Sequence, residues 1–255
     1  MEKLNLRKPK IFDYSDEVET VNPRISFYCV SEGATEESYL IGVSNNKAEL
    51  NIKNNVYIHV IKKEKGQETY SHPLQLVKAC LTQLGRIDEE GEEIPQELWA
   101  DKCRWDNYDD EIDEVCVAFD RDYKKLEDSW EEIERLCKKH KIRIVMSNPN
   151  FELWLLMHFR DIEQYDVIKL KANKKNLRHQ ICKEASKDKK YLKILVSKKV
   201  EGYKKGKKIH FEKFCPIIDD AVEEAKKYCE DLEEGLFDEI GTSMGKLIEK
   251  MRIST

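Results

Sequence analysis

Four short apolar runs limit what this chain can fold into: Arg24 to Val30, Val56 to Ile61, Val115 to Asp120 and Ile142 to Met146. Each is strand-length and rich in β-branched or aromatic residues, and segments of helical spacing lie between them. A helix is predicted from about Thr35 to Val43. Pro73, comfortable in a first turn, opens another that carries Leu74, Leu76, Val77, Cys80, Leu81 and Leu84 on helical spacing. Asp128-Ser129-Trp130-Glu131 reads as the cap of a third, with Trp130, Ile133, Leu136 and Cys137 on one face. Strands alternating with helices predict right-handed βαβ units and a mainly parallel sheet.

The expected architecture is therefore α/β, a mainly parallel sheet flanked by helices, followed by a mostly helical C-terminal part. Residues 1–160 form the core, with an acidic insert at about 87–114, and residues 161–255 form a helical, lysine-rich region packed on it. Asp166 to Lys187 reads as a basic helix, and Ile217 to Leu236 and Thr242 to Met251 read as closing helices. Tyr191 to Val200 shows no decisive period, and Gly202 to Lys208 reads as a flexible loop.

Two acidic clusters end two of the strands: Ser31-Glu32-Gly33-Ala34-Thr35-Glu36 and Asp120-Arg121-Asp122. Ligands of open parallel sheets bind at strand carboxyl ends. Carboxylates gathered there repel one another and cost free energy unless a cation neutralises them, and a hard divalent ion with oxygen ligands does so. Asp120 and Asp122, two residues apart in an extended segment, project to the same side and can share an ion. The plainer alternative is a surface turn, where Asp is common. Arg121 suits either a phosphate or its acidic neighbours.

The run Ser147-Asn148-Pro149-Asn150-Phe151-Glu152-Leu153-Trp154-Leu155-Leu156-Met157-His158-Phe159 is the most unusual. Asn148 is suited to cap a helix and Pro149 to its first position. The helix that follows is apolar nearly all round, hence buried, yet carries Glu152 and His158. Glu152 reads either as an acid favoured by the helix dipole and paired to a lysine, or as a metal or substrate ligand. His158 reads first as a satisfied core histidine.

Charge is unevenly distributed. Residues 88–114 hold 13 acids against two bases, and residues 171–213 hold 16 Lys or Arg against four acids. The two segments either compensate each other or leave the basic one for a polyanion. Tyr191, Tyr203, Phe211 and Phe214 among the lysines suit a nucleic-acid backbone and unpaired bases, and the predominance of lysine favours sequence-independent contact. The candidates for that contact are Lys198, Lys199, Lys204, Lys205, Lys207 and Lys208. Eight scattered cysteines form no C-x-x-C pair and read as free thiols. No signal peptide or membrane-spanning run is evident, so a cytoplasmic protein is expected.

Taken together, Glu32-Gly33 with Thr35-Glu36 after one strand, Asp120-Arg121-Asp122 after another, Ser147-Asn148-Pro149-x-Phe-Glu-x-Trp-x-x-x-His, and the tail Gly241-Thr242-Ser243-Met244-Gly245-Lys246-Leu247 resemble the RloB-like family, also called AbiLii-like. The resemblance covers about Lys3 to Met251. It implies a TOPRIM-like fold, a place in bacterial phage defence or restriction-modification loci, and Mg2+- or Mn2+-dependent cleavage of RNA or DNA. By that resemblance Glu32 matches the TOPRIM glutamate, and Asp120 and Asp122 the Asp-x-Asp pair. Family members commonly read Glu-Gly-Glu or Glu-Gly-Lys at the turn. This chain has Glu-Gly-Ala, which argues against essential chemistry at position 34.

The expected catalytic set is Glu32, Asp120 and Asp122. Glu32 completes the metal site or acts as general base, and Glu36 and Glu152 are candidates for a second ion. Arg121, Asn148 and His158 would stand behind these ligands. The alternative is a non-catalytic nucleic-acid or nucleotide sensor signalling to a partner protein, with Trp99 and Trp105 in the acidic insert as its docking surface. Phosphoryl or nucleotidyl transfer would use the same carboxylates. No G-x-x-x-x-G-K-[ST] is present, so any ATP dependence would come from a partner such as an ATPase or a restriction-modification component.

Overall fold

The computed structural model describes residues 24–64, 72–121, 126–173 and 190–254. Asp122, Cys182 and most of the expected basic helix from Asp166 to Lys187 lie outside them. The sheet has five strands: β1 (Ile25–Ser31), β2 (Val56–Ile61), β3 (Glu114–Asp120), β4 (Ile142–Asn148) and the two-residue β5 (Gly241–Thr242). Their order is β2-β1-β3-β4-β5, and all neighbours are parallel except β4 and β5. The fold is α/β, as expected. β5 carries no apolar run, only a close approach: a Cβ on Gly241 would lie 1.7 Å from the Cys229 carbonyl oxygen.

Helices cover both faces, because β1 and β3 are buried on each side and alternate residues feed two separate cores. On one face Phe27 and Cys29 meet α1 (Ala34–Asn45) through Tyr39, Leu40 and Val43. On the other, Tyr28, Val30 and Val117 meet α2 (Pro73–Gln83) through Leu76, Val77, Cys80 and Leu81. A one-turn helix α3 (Trp99–Lys102) lies within the acidic insert. α4 (Trp130–Lys139) joins the second face through Ile133, Leu136 and Cys137. The crossover helices α1 and α2 thus lie on opposite faces, which makes the junction of β1 and β3 the topological switch of the sheet.

The C-terminal region packs on the α1 face. α5 (Glu152–Met157) is enclosed by α7 (Tyr191–Lys199), α8 (Ile218–Ala225) and α9 (Met244–Ile253), and all share the first core. Between α5 and α7, α6 (Val167–Ala172) is capped by Asp166, whose side chain accepts from the backbone of Ile168 and Lys169. The closing helix expected from Ile217 to Leu236 stops at Ala225, and the chain continues in turns. Among the described residues, no helix is long and apolar enough to cross a membrane, and the seven described cysteines are free.

The acidic insert differs from its sequence reading in two ways. Four of its acids, Glu89, Glu93, Asp110 and Glu114, pair respectively with Arg104, Lys139, Arg86, and both Arg143 and Lys250, and among the described residues none pairs with the 171–213 segment. Its tryptophans are packed rather than displayed. Trp105 is 3% exposed and stacks on Tyr28 with ring centroids 4.8 Å apart, and the Arg86 guanidinium lies 3.9 Å over Trp99.

The two-faced core makes a quantitative prediction. Leu40→Ala and Leu81→Ala should each lower unfolding free energy by about 2–5 kcal/mol, and the double variant should lose the sum to within about 0.5 kcal/mol. Denaturant titration reads this directly, and strong non-additivity would contradict two independent layers.

Candidate carboxylate site

The site forms where β1 and β3 end. Ser31 and Asp120 are the terminal residues of adjacent strands, and the Glu32 backbone N–H continues the ladder by donating to the Ala118 carbonyl at 2.8 Å. The Asp120 N–H donates to Glu32 Oε2 at 3.1 Å, which orients that carboxylate across the strand ends. Lys63 Nζ donates to the Glu32 carbonyl oxygen at 2.5 Å and braces the turn from the end of β2. The next turn begins α1, and Glu36 folds back so tightly that a Cβ on Gly33 would lie 2.4 Å from its Oε2. Glycine at 33 therefore makes room for a carboxylate.

The 147–152 run is built differently from its sequence reading. Asn148 is the last residue of β4, the Asn148–Pro149 peptide is cis, and the helix begins only at Glu152 with Phe151 in the N-cap position. Asn148 is thus not the N-cap of this helix. Its buried amide donates to the Leu236 and Phe237 carbonyls at 3.0 and 3.1 Å. The turn aims the Phe151 N–H at Asp120 Oδ1, 2.7 Å away, and brings Glu152 beneath the other Asp120 oxygen's partner.

That partner is Lys205. Its Nζ donates to Asp120 Oδ2 at 3.0 Å and to Glu152 Oε2 at 3.1 Å, while the Tyr203 hydroxyl donates to Glu152 Oε1 at 3.0 Å. Glu152 is only 1% exposed, so both oxygens need these donors. The segment is fixed on either side: the Gly206 N–H donates to Thr35 Oγ1 at 2.9 Å and the Ile209 N–H to Ser38 Oγ at 3.1 Å. Lysine-rich though it is, the 202–208 loop is tied to α1 and α5.

Lys205 and Tyr203 meet the acids, contacts that the sequence reading did not give them. Lys205, read as a cation for a nucleic-acid backbone, places its ammonium on Asp120 and Glu152 while its side chain stays 38% exposed. Burial works against its charge, but Asp120, Glu152 and Glu36 outweigh that and hold its pKa above the ordinary lysine value. Burial and Glu152 likewise raise the Tyr203 phenol, which stays protonated as a donor. Lys199 pairs with Asp161. Lys204, Lys207 and Lys208 are exposed and pair with no acid among the described residues, whereas Lys198 stands at the end of α7.

Arg121 and His158 each bond a backbone carbonyl. Arg121 Nε donates to the Phe237 carbonyl at 3.0 Å and the guanidinium lies 3.6 Å over that ring, so it anchors the 230–240 segment to β3. His158 is a satisfied core histidine. Its Nδ1 donates to the Trp154 carbonyl at 2.9 Å, its Nε2 accepts from the Tyr39 hydroxyl at 3.0 Å, and burial lowers its pKa to about 3, leaving it neutral.

Glu36 is the unbalanced member. It is 4% exposed, and no side chain among the described residues donates a hydrogen bond to it. Burial and then Asp120 push its pKa up to about 8, with Lys205 acting in the opposite sense. Among the described residues, no group of three or more His, Cys, Asp or Glu side chains is arranged to hold a metal ion. Lys205 stands among the acids instead. Carboxylate oxygens are the donors a hard divalent cation takes, and here the Lys205 ammonium already stands on those of Asp120 and Glu152.

A raised carboxyl pKa gives a signed prediction. The folded state holds the Glu36 proton more tightly than the unfolded chain, so its stabilising contribution is full below about 4.5 and lost as pH rises through about 8. Without divalent metal, the melting temperature should fall over that window, and Glu36→Gln should remove that part of the slope. Identical pH profiles for the two proteins would refute the assignment.

The family model described as RloB-like protein matches residues 27–251. No curated protein and no solved structure matches the chain.

Proposed function

Because this chain belongs to the RloB-like family, we propose that it is a Mg2+- or Mn2+-dependent endonuclease of bacterial anti-phage defence, hydrolysing phosphodiester bonds in RNA or DNA. The observation that carries this reading is the gathering of Glu32, Glu36, Asp120 and Glu152 at the carboxyl ends of β1 and β3, beside the switch in strand order. The TOPRIM relationship belongs to the same proposal, with Glu32 and Asp120 as its acidic residues. Asp122, its third, lies outside the described residues.

A divalent ion held by Asp120 and its neighbouring carboxylates would supply charge stabilisation at the phosphate. The chain's own residues do the rest. Hydrolysis forms a bond from water oxygen to phosphorus and breaks one P–O ester bond, so a proton must leave the water and one must reach the departing oxygen. Glu32, at the end of β1, is the candidate to accept the water's proton. Phe151 N–H and Lys205 fix Asp120, and the Asp120 N–H fixes Glu32, so the acids are oriented before substrate arrives. Exposed Lys204, Lys207 and Lys208 flank this centre on the same loop and suit a phosphate backbone.

The test is cleavage of labelled tRNA, single-stranded DNA and plasmid in Mg2+ or Mn2+. Asp120→Asn keeps an acceptor for the Phe151 N–H, gives up the one for Lys205, and should abolish cleavage in a protein that still folds. A folded Asp120→Asn protein that still cleaves would overturn the reading. Replacing Lys204, Lys207 and Lys208 together by Gln should weaken binding and flatten the dependence of log affinity on log salt by about 2 to 3. An unchanged slope would remove these lysines from the interface.

A further inference from the structure

We propose that the end of the molecule carrying the acidic insert is a docking surface for a second copy of this chain, whose lysine-bearing 202–208 loop seats on it, so that the protein associates head to tail. This needs neither metal nor substrate and stands apart from the catalytic reading above.

Within one chain the two charged surfaces face a distance that they cannot close. Residues 88–114 hold 13 acids against two bases. Four of those acids have basic partners, but Glu90, Glu92, Glu97, Asp101, Asp106 and Glu111 are exposed and pair with no cation among the described residues. On the 202–208 loop, Lys204, Lys207 and Lys208 are likewise exposed and pair with no acid among them. The insert runs into Glu114, the first residue of β3, and is held to the ends of α2 and α4 by the Arg104 N–H on the Gln83 carbonyl and by Glu93 on Lys139. The loop is fixed at the last residue of β3, by Lys205 on Asp120. A seven-residue strand, roughly 20 Å long, lies between them. That is about twice the Debye length at about 0.1 M salt, so neither surface neutralises the other in the same molecule.

The insert end also has a shape that a partner fills. A groove of 640 Å³ opens there, lined by Ile112 of the insert, Ile142 at the start of β4 and Ile253 at the end of α9, with Glu111 and Asp113 against one cation, Lys141, that has no acidic partner among the described residues. Ile112 is 42% and Ile253 69% exposed. Lysine suits such a surface, because its four-carbon stem covers apolar atoms while its ammonium reaches a carboxylate. Three lysines on one loop therefore match both the isoleucines and the acids around them. A phosphate polyanion is repelled from the same place. Complementary surfaces at opposite ends of one molecule make a heterologous contact, which repeats from copy to copy instead of pairing identical patches. Each such contact covers the lysines that the reading above assigns to a phosphate backbone.

Sedimentation velocity of the full chain, over rising protein concentration and without nucleic acid, reads the contact. At about 0.1 M salt wild type should form species that grow with concentration. At about 1 M salt, where the Debye length falls from about 10 Å to about 3 Å, it should sediment as a monomer. Replacing Glu90, Glu92 and Glu111 by Lys, or Lys204, Lys207 and Lys208 by Glu, should each leave a monomer at low salt; all six side chains are exposed, so the fold is kept. An equimolar mixture of the two variants should associate again, since the reversed insert meets the reversed loop and the two unreversed surfaces still match. Wild type that stays monomeric at low salt, or association that persists at high salt, would overturn the proposal without any variant. Variants that associate as wild type does, or a mixture that stays monomeric, would overturn it as well, and none of these results bears on cleavage.

Discussion

The buried carboxylate of Glu152 determines where much of the C-terminal region goes. A carboxyl group at 1% exposure is tolerated only when its oxygens are bonded, and among the described residues no other side chain of α5 bonds it. Both donors come from the 200–210 segment, Tyr203 and Lys205, two residues apart in sequence. Satisfying one buried acid therefore draws that segment across the strand ends. There Thr35 and Ser38 on α1 accept from its backbone and complete the attachment.

A second attachment works on different chemistry. The Asn148 amide and the Arg121 guanidinium both reach the backbone of the 236–237 stretch, and Arg121 also covers the Phe237 ring. The stretch then leads into β5, where Ser147 and Thr242 hydroxyls meet at 2.8 Å beside the strand pairing. Polar residues that read as site chemistry in the sequence thus hold the segments around the site. The acids that remain, Glu32, Glu36 and Asp120, are oriented mainly by backbone geometry, which is the more rigid arrangement.

The parts of this protein that were legible in its sequence are those decided locally. Strand runs such as Val115 to Asp120 announce themselves by apolar continuity, and Glu32, Glu36 and Asp120 by lying where those runs stop. The rest depends on long-range encounters. Lys205 meets Asp120 across 85 residues and Glu152 across 53, and nothing in Lys-Lys-Gly-Lys-Lys distinguishes the lysine that meets the acids from its neighbours. Tyr203 was visible only as an aromatic among cations. Trp105 read as exposed because acids surround it in sequence, yet it stacks on Tyr28 of β1, a partner 77 positions away. β5 has two residues and no apolar signature; what specifies it is the absence of a side chain at Gly241, where the Cys229 backbone passes.

Stability alone does not explain Glu36. Glutamine would fill the same space without a charge to desolvate, and a lysine or arginine nearby would offset the one that is there. The chain does neither, and keeps a third acid beside Asp120 and Glu152 with one ammonium among them. Elsewhere the acids at 89, 93, 110, 114 and 163 have basic partners, whereas Glu230 is, like Glu36, a buried acid whose pKa is raised by burial. What sets Glu36 apart is its place, at strand carboxyl ends beside an Asp120 partly open to solvent, which is where the proposed function would use an ionisable group.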